Sequence, residues 1–487
     1  MNTLSKVLSK NLTELKKLLP SEDILTYAFE TQDGVSCAIV YTDGVVNKQL
    51  LGDLVARPLS RVSIKNDGGR VALNAETLEK TLLFPELKNA EDFQKAVKEI
   101  LDGNSLLLVD GVSMGFIVGA KLLPNRAVVE PPTDVAVKGP REGFIEDIKT
   151  NMSLVRKRLK TPDLRFETLR VGKQSDTAVT LCYLSGTSNS DVLAEIKRKI
   201  QKIDVDHIPD SSYIAALISP RKHSLFHTLG TTEKPDIFCA KLAEGRVGIL
   251  VDGSPIALTA PYLLTEGLQS SEDYFHSPFV STTFRFLRLF ALFVAILLPA
   301  FYVSAQLFKM QLLPLGLMLT IASSVRELPL SPNLEMFVVL FLLEVLKEAS
   351  VRMPKYVGMS LSVVGALVLG ETAVSAGFLS TPAIIIVAFS GICLYTVPNF
   401  VETGGVLRWL FLLVAGSIGP FGIVLLLTFL LYYLITADGF GAPLLAPFSP
   451  LLSRDLRDTV VKYDVSELKK RPLSIRSKNK TRLREKI

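Results

Sequence analysis

The chain has 487 residues and a formal net charge of +6, and 48% of its residues are hydrophobic. This length exceeds one ordinary domain, and the mean hydropathy of +0.34 excludes a wholly soluble protein. Residues 1–283 have a mixed composition, whereas long apolar runs follow Phe284. We therefore expect an α/β soluble N-terminal region of two similar subdomains, followed by an α-helical polytopic membrane domain.

The first 21 residues are amphipathic, with leucines placed between lysines such as Lys6, Lys10 and Lys16. They lack the apolar core and the small-residue cleavage site of a signal peptide, so the N-terminal region is expected to stay in the cytoplasm. Two roles stay open for this segment. Its mixed polar face favours a surface helix that covers the first subdomain, and the alternative is an anchor on the membrane surface.

The soluble region reads as two copies of one α/β unit. In the first copy, residues 24–41 predict two strands joined at Gln32-Asp33-Gly34, with helices at 47–55 and 90–101. In the second copy, residues 164–184 repeat the strand pair and residues 190–201 the following helix. Each copy later contains Val-Asp-Gly, where Asp-Gly predicts a hairpin turn. A duplication explains this pattern, with one subdomain at 1–128 and the linker plus the other at 129–275.

Neither copy shows residues arranged for catalysis. The Gly-rich segments lack Walker and GxGxxG patterns, and no Ser-His-Asp or HExxH arrangement is evident. The four histidines lie in polar loops, and His223 and His227, which could share a helix face, lack a third ligand. The four cysteines are far apart and form no CxxC pair, so disulfides and zinc are not expected. We predict binding and assembly modules, not an enzyme, with no catalytic, cofactor or metal site.

The connection between the copies has a distinctive sequence. It contains Glu-Pro-Pro-Thr-Asp at 130–134, Gly-Pro-Arg-Glu-Gly-Phe at 139–144 and Asn-Met-Ser-Leu-Val-Arg-Lys-Arg at 151–158. The residues alone predict an extended linker and then a helix at 144–160, whose basic residues near its C-terminal end suit the helix dipole. Together these strings resemble the signature of the A subunits of GerA-type spore germinant receptors of endospore-forming bacteria.

The resemblance continues along the chain in the family's order. Residues 266–275 look like its acidic Gln-Ser-x-Glu-Asp-Tyr element, 285–303 like its first membrane helix, and 344–377 like its most specific stretch. The similarity covers residues 130–400, and the first subdomain and the tail match only in organisation. One position departs from the family, because Glu371 stands where Gln is more usual.

The apolar region predicts a helical membrane domain at 284–436. Residues 286–308 are long enough to span, since a helix needs about 20 residues to cross the hydrocarbon core. The next two segments, 312–323 and 334–346, are short, and the second carries two glutamates. Such segments predict re-entrant or interfacial helices, whose backbone must be buried in protein or line a water-filled cavity. Three further apolar runs complete the domain, at 356–378, 383–398 and 406–435, the last divided by Gly416, Gly419-Pro420 and Gly422.

The tail at 437–487 is rich in lysine and arginine near its end. The positive-inside rule places such a tail in the cytoplasm, so both termini are expected inside and the number of complete spans is expected to be even. Topology and attraction to anionic membrane lipid account for this composition. We therefore expect a multi-pass membrane protein with a basic cytoplasmic tail and no nucleic-acid partner.

Small side chains recur along one face of the helix predicted after Pro354. Such a face packs against another helix or lines a narrow pore, and in a ring of subunits it does both. Apolar constrictions gate by dewetting, and acidic rings favour cations. Glu371, which is costly at this depth, therefore lines the pore or instead pairs with Arg352, Lys355 or another subunit. The predicted pore or gate residues are Ser362, Val363, Ala366, Leu367, Gly370 and Glu371, and the predicted helix-packing or subunit-interface residues are Gly358, Ala373 and Gly377.

The resemblance implies the remaining expectations. The chain would be the A subunit of a nutrient germinant receptor in the spore inner membrane, with its N-terminal domain and tail on the core side. It would form a homo-oligomeric, germinant-gated channel that releases monovalent cations. Its partners would be a transporter-like B subunit that binds germinant and a lipoprotein C subunit. The alternative is a non-conducting membrane scaffold or signal-transducing subunit. The predicted coupling residues are Glu344, Glu348, Arg352, Pro354, Arg141, Arg156 and Arg158.

Overall fold

A computed structural model describes the chain in several stretches, and the fold is built from two α/β units and a group of apolar helices. The described residues are 3–63, 87–121, 139–221, 223–308, 311, 314–325, 328–352, 354, 365 and 368–482.

The first α/β unit is a five-stranded antiparallel sheet with the strand order β1-β2-β4-β5-β3. Side chains alternate between its two faces, so Cys37 and Ile39 face one apolar cluster while Ala38 and Val40 face the other. A helical segment containing a π-helical turn, Gly52–Ala56, covers the first cluster. The other elements are β1 Ile24–Glu30, β2 Ser36–Thr42, β3 Leu87–Ala90, β4 Ser105–Val109, β5 Gly115–Val118, α1 Leu8–Leu18, α2 Phe93–Leu101, and the short helices Lys48–Leu51 and Arg57–Ser60.

The second α/β unit repeats this topology, because its strand order is β6-β7-β9-β10-β8. Apolar clusters again cover both faces of the sheet. Its elements are β6 Leu164–Val171, β7 Thr177–Leu184, β8 Gly230–Thr232, β9 Val247–Val251, β10 Ala257–Ala260, α3 Ile148–Arg158, α4 Ser190–Gln201, α5 Ser211–Ile218 and α6 Pro235–Glu244.

The duplication includes helices α1 and α3, which the sequence reading left outside it. An offset of 140 residues relates the starts of these helices and also relates β1 to β6. In each helix a buried asparagine binds the backbone six residues earlier, Asn11 at Ser5 and Asn151 at Ile145. The Asp of each Val-Asp-Gly sequence accepts a hydrogen bond from the first backbone N–H of the same helix. The predicted linker helix is therefore the first element of the second unit.

Each Val-Asp-Gly sequence ends its strand as predicted. Gly111 and Gly253 have φ of 88° and 82°, a left-handed conformation that favours glycine. Their backbone N–H groups donate to the carbonyls of Lys6 and Glu146, just before α1 and α3. The turn thus joins two strands and also forms a hydrogen bond with the segment just before the helix of its own unit. This double role explains why both copies contain the turn.

Three local predictions can be compared with the structure. The strand pairs at 24–41 and 164–184 are confirmed. The N-terminal segment is a surface helix over the first sheet, because Leu8 and Leu15 are buried in that core. The predicted helix start at residue 144 is wrong: α3 begins at Ile148, because the Asp147 carboxylate caps it by accepting from the Thr150 backbone N–H at 2.8 Å.

The C-terminal half is helical. Helix α7 packs against α10 and α11, and α9 packs against α10. Among the described residues, two segments, Pro278–Phe308 and Pro398–Ile418, are long and apolar enough to cross a membrane. The helices are α7 Pro278–Phe308, α8 Leu315–Val325, α9 Pro332–Arg352, α10 Thr381–Tyr395, α11 Val401–Ile418 and α12 Pro420–Thr436, with a π-helical turn at Val368–Thr372 and one helical turn at Ala373–Ser375.

One helical prediction needs correction, and another is confirmed. The segment predicted as short at 334–346 belongs to α9, which has 21 residues and therefore a length of about 30 Å. Glu335 and Glu344, the two glutamates that made this segment look interrupted, both accept hydrogen bonds from neighbouring helical segments. The run at 406–435 is divided at Gly419-Pro420, one of the three predicted breaks: Gly419, with φ of 74°, ends α11, and Pro420 begins α12.

The described part of the tail folds back onto the second α/β unit. Phe440 belongs to one of that unit's apolar clusters, and Ile475 is buried. The Lys478 N–H donates to the Thr187 carbonyl at 2.9 Å, and Arg471 Nε donates to the Ala243 carbonyl at 2.7 Å. The tail and the second unit therefore lie on the same side of the helical region.

Candidate functional site at the junction of the α/β units and the helices

Arg156 joins the two α/β units through a buried ion pair. Its side chain and that of Asp23 are each 2% exposed, and Nε and Nη2 donate to the two carboxylate oxygens at 2.8 and 2.9 Å. Arg156 also donates to the carbonyls of Thr161 and Leu164, and its guanidinium lies over the Phe166 ring. This predicted coupling residue therefore fixes the first unit against the second.

The neighbouring basic residues bind within the connection itself. Glu142 accepts from Lys157 at 2.7 Å and from Arg158 at 2.8 Å. Burial alone would raise the pKa of the Glu142 carboxyl, but these two cations outweigh it and lower that pKa. Arg141, one residue earlier, is exposed. The predicted coupling residue Arg158, at the C-terminal end of α3, thus binds the segment that precedes α3.

A charged cluster lies where the second α/β unit meets α7. Asp273 is fully buried, and its carboxylate accepts from Arg285 Nε at 3.1 Å and from Arg288 Nη1 at 2.8 Å. Arg285, itself 1% exposed, also donates to the Asp458 side chain at 3.1 Å and to the Thr459 carbonyl. We call Asp273, Arg285, Arg288 and Asp458 the junction cluster; it ties the start of α7 to the tail.

The junction cluster includes further polar contacts from the tail. Lys462 Nζ donates to the carbonyls of Asp273 and His276, and the Tyr274 hydroxyl donates to Asp458 at 3.0 Å. Burial raises the pKa of Asp458 despite the nearby Arg285 cation. Burial and then Arg285 lower the pKa of Lys462. Both shifts disfavour the charged forms of Asp458 and Lys462.

Sequence reasoning identified the acidic element at 266–275 but not its partners. Asp273 needs Arg285 and Arg288, which lie one helical turn apart at the start of a helix read as wholly membrane-embedded. That spacing was the available signal, since residues i and i+3 share a helix face. Asp458 lies far along the chain, in a tail read only for its charge.

Glu266, in the same acidic element, forms a second buried ion pair. Its Oε1 accepts from Arg246 Nη2 at 2.6 Å, and its Oε2 forms an ion pair with Lys241 Nζ at 3.0 Å. Burial alone would raise the pKa of the Glu266 carboxyl, but Arg246 and then Lys241 outweigh it and hold that pKa below its ordinary value. This pair fixes the acidic element to α6 and to the residue that precedes β9.

Two further helix ends are attached to the second α/β unit. The Thr403 hydroxyl, in the first turn of α11, donates to the Leu225 carbonyl at 2.6 Å. At the last residue of α12, the Thr436 carbonyl accepts from Arg221 Nη2 at 2.6 Å. With Arg285 on α7, three helices are held at one end by the same unit or by the tail packed on it.

The predicted coupling residue Glu344 has a partner inside the helix bundle. Arg408 on α11 is 1% exposed and donates through Nη2 to Glu344 Oε1 at 2.7 Å. Arg408 Nη1 also donates to the Ser390 hydroxyl at 3.2 Å, and that hydroxyl donates to the Ala295 carbonyl on α7. Glu344 therefore links α9 to α7, α10 and α11, which the sequence reading did not foresee because Arg408 was not singled out.

Glu335 is the most deeply buried charge-bearing residue of α9. Its side chain is fully buried, and Oε1 accepts from the Ser380 backbone N–H at the start of α10. Its Oε2 has no hydrogen-bond partner among the described residues. Tyr302 of α7 lies in the same cluster of buried residues as Met336. Because a buried carboxyl group among apolar helices is costly, Glu335 is a candidate functional residue.

The remaining coupling predictions lie at the end of α9. Glu348 and Arg352 form an exposed i, i+4 ion pair at 2.6 Å, and Pro354 is exposed. Exposed pairs of this kind contribute little to stability, up to about 0.5 kcal/mol. The structure thus separates Glu344, which crosses the bundle, from Glu348 and Arg352, which face away from it.

Most of the predicted pore residues lie outside the described part of the chain: Gly358, Ser362, Val363, Ala366 and Leu367. Of the others, Gly370 and Glu371 are exposed in the π-helical turn at Val368–Thr372. Ala373 packs at the edge of a buried cluster, and Gly377 has φ of 71° after the short helical turn. Whether these positions face a pore or another subunit stays a prediction.

The residues with metal or nucleophile chemistry do not form a site in the described part of the chain. No group of three or more His, Cys, Asp or Glu side chains there could hold a metal ion. All four cysteines are buried as free thiols, and burial raises the pKa of Cys37 and Cys239 to about 12.

Comparison with known proteins gives a consistent result over almost the whole length. Residues 10–474 match the family model described as Bacillus/Clostridium GerA spore germination protein. The chain is 33% identical to spore germination protein KA of Bacillus subtilis over 98% of this chain and 88% of that protein. It is 32% identical to spore germination protein GerLA of Bacillus cereus over 91% of this chain and 90% of that one.

Two further similarities are to a membrane protein, over almost the whole chain, and to the crystal structure of an N-terminal domain. The chain is 34% identical to the membrane protein YfkQ of Bacillus subtilis over 96% of this chain and 91% of that protein. A crystal structure of the N-terminal domain of the A subunit of the Bacillus megaterium germinant receptor GerK3 is 30% identical, with a TM-score of 0.42. It covers 54% of this chain and 97% of that domain.

Proposed function

Because the chain belongs to the GerA family of spore germination proteins, we propose that it is the A subunit of a nutrient germinant receptor and forms a germinant-gated ion channel. The channel is an oligomer of this chain in the spore inner membrane. It releases monovalent cations from the spore core when germinant binds a transporter-like B subunit, with a lipoprotein C subunit as the third component. The α/β units and the tail lie on the core side.

The observation that carries this proposal is the attachment of three helices to one α/β unit. Arg285 on α7, Thr403 on α11 and Thr436 on α12 each bind the second unit or the tail packed on it. A rearrangement of the α/β units therefore reaches several helices together. Such coupling is required if germinant bound to a partner subunit is to change the packing of these helices.

The polar residues inside the bundle support conduction over a simple anchor. Arg408 and Glu344 are paired there, and Glu335 is buried with an oxygen that lacks a partner among the described residues. Charges among apolar helices are costly and mark ion pathways or moving parts. Germinant needs only to bind the open assembly more tightly than the closed one. To change the ratio of open to closed assemblies from 1:99 to 99:1, the binding free energies of germinant for the two states must differ by about 5.5 kcal/mol.

The test is cation flux through liposomes that contain the full-length chain, with and without its B and C partners. We expect germinant-dependent flux, altered in conductance or selectivity by Val363→Ala and by Glu371→Gln. Glu467→Gln is the matched control, because it also removes one exposed acidic charge but lies in the tail, outside the apolar helices. Flux unchanged by the first two variants would contradict the assigned pore residues. No flux from an assembled, germinant-binding complex would contradict the channel and leave a scaffold or signal-transducing subunit.

A further inference from the structure

The groove between α1 and β1 in the first unit is open, whereas its counterpart in the second unit is filled. The open groove has a volume of about 350 Å³ and is lined by Leu15, Lys16, Ser21, Thr26 and other residues of α1, β1 and β2. The offset of 140 residues places Arg156 at the position of Lys16 and Phe166 at that of Thr26. The two grooves are thus the same part of the repeated unit in two states.

The filled groove shows what such a groove accepts. Residues 21–23 of the first unit lie against β6, where Ser21 Oγ accepts from the Phe166 N–H at 3.1 Å and Glu22 Oε2 accepts from the Thr168 N–H at 2.8 Å. Asp23 reaches the guanidinium of Arg156. The contact is heterologous, because the segment before the first strand of one unit binds the groove of the next.

We propose that the open groove binds the corresponding segment of a second copy of this chain, residues 161–163. This inference rests on the oligomer of the proposed function and names its contact surface. The offset pairs Thr161 with Ser21 and Asp163 with Asp23. Asp163 of one copy would then meet Lys16 of its neighbour, as Asp23 meets Arg156 within the chain.

Exposure and charge agree with this assignment. Pro162 and Asp163 are exposed at a turn, and Lys16 is exposed at the groove. Residues 26–28 of the edge strand β1 are also exposed, with Tyr27 at 51%. An exposed edge strand with unpaired backbone groups is a ready site for a second chain. Pro162 replaces Glu22, so the carboxylate contact to the edge strand is not repeated and the groove accepts a hydroxyl and one carboxylate.

The geometry suits subunits held in one membrane. A heterologous contact relates one copy to the next by rotation and generates a ring when the rotation closes. Copies that share a membrane share one orientation, so their rotation axis lies along the membrane normal. The internal contact between the units would then be continued between copies, and the two kinds of contact would alternate around the ring.

The test is cross-linking between differently tagged full-length copies, one with Lys16→Cys and one with Asp163→Cys. A short bismaleimide suits it, because a Lys–Asp ion pair holds the Cα atoms too far apart for a disulfide. The four native cysteines are buried and serve as an internal background. Lys17→Cys is the matched control, since Lys17 is adjacent, 66% exposed and absent from the groove lining.

The expected result is a cross-linked heterodimer from Lys16→Cys with Asp163→Cys, and little from Lys17→Cys with Asp163→Cys. Lys16→Glu is expected to weaken self-association about tenfold, and Lys16→Glu with Asp163→Lys to restore it. An oligomer that forms without the Lys16–Asp163 cross-link would overturn this surface and leave the channel proposal intact. A chain that stays monomeric under all conditions would overturn both.

Discussion

The two α/β units have the same fold but different surroundings. Both keep the buried asparagine, the Asp-Gly turn and the strand order, which build the unit from within. They differ at the position of Lys16 and Arg156: the arginine is buried against Asp23, and the lysine is exposed beside an open groove. Arginine offers a planar fork for two carboxylate oxygens, whereas lysine offers a point charge. The comparison teaches that the repeat is constant in its core and changes where it meets neighbours.

The largest effect should come from removing the buried arginine. Arg156→Ala leaves Asp23 buried without its cation, so we expect the free energy of unfolding to fall by about 3–5 kcal/mol. Lys16→Ala is the matched change in the first unit and should cost less than about 0.5 kcal/mol. Denaturant unfolding of the purified full-length chain in detergent measures both. Similar losses for the two variants would show that the units do not differ in the way described.

The shared core should respond equally in both units. Asn11→Ala and Asn151→Ala each remove two hydrogen bonds to the backbone and leave a partly buried N–H and C=O unpaired. We expect a loss of about 2 kcal/mol for each variant in the same unfolding experiment. If only one of them mattered, the asparagine would be a local feature of one unit and no longer part of a common design.

Acid should affect the second unit selectively through Glu266. The folded state lowers the pKa of this carboxyl below its ordinary value of 4.5. Its contribution is therefore complete above that value and is lost as the pH falls through the folded pKa. Glu266→Gln removes that contribution and should cost about 1.5 kcal/mol at neutral pH, since a neutral amide replaces a charge-assisted hydrogen bond.

Thermal unfolding measured from neutral to acidic pH tests this prediction. The midpoint of the wild-type chain should fall on acidification, and the midpoint of Glu266→Gln should fall less steeply. Asn104, which precedes β4 as Arg246 precedes β9, binds Glu99 instead. Glu99→Gln is therefore the control in the first unit. Equal flattening by both variants would argue against a role specific to the second unit.

The smallest effects are expected at the helix starts. Asp110 Oδ1 accepts from the Leu8 N–H at 2.8 Å, and Asp252 Oδ1 accepts from the Ile148 N–H at 3.3 Å. Replacing either by Asn removes a negative charge near a helix N-terminus, worth about 0.5–1 kcal/mol. The shorter contact predicts the larger loss for Asp110→Asn. Unfolding of both variants in low and high salt checks this, because salt screens a charge effect and leaves packing unchanged.

The sequence predicted the strands and their duplication because these depend on short-range patterns. Alternating residues in 24–41 and 164–184 and the two Asp-Gly turns are readable locally. The helix that opens each unit was harder to assign, since Asn11 and Asn151 show their equivalence only when the two helices are aligned. The break at Gly419-Pro420 was predicted with those at Gly416 and Gly422, but only the backbone shows that the helices continue through the other two glycines.

The charged sites were predicted only in part, because each joins residues far apart in sequence. Glu344 was named without Arg408, and Arg156 without Asp23, which lies 133 positions earlier. Asp273 lay within a recognised element, yet its role depends on Arg285 and Asp458. A single sequence shows which charges lie near apolar runs. Their partners are set by tertiary packing.

The attachment of α7, α11 and α12 to one α/β unit has a mechanical consequence. All three helix ends are held by the same unit or by the tail packed on it, so these helices form a frame whose ends cannot slide independently. A twist of the α/β unit would reach the helices as a torque on the whole frame, whereas a pull on a single helix would be shared by all three. Helix α9 would receive such a torque through the ion pair of Glu344 with Arg408 and through the apolar cluster in which Met336 and Leu340 pack with Tyr302 and Leu412.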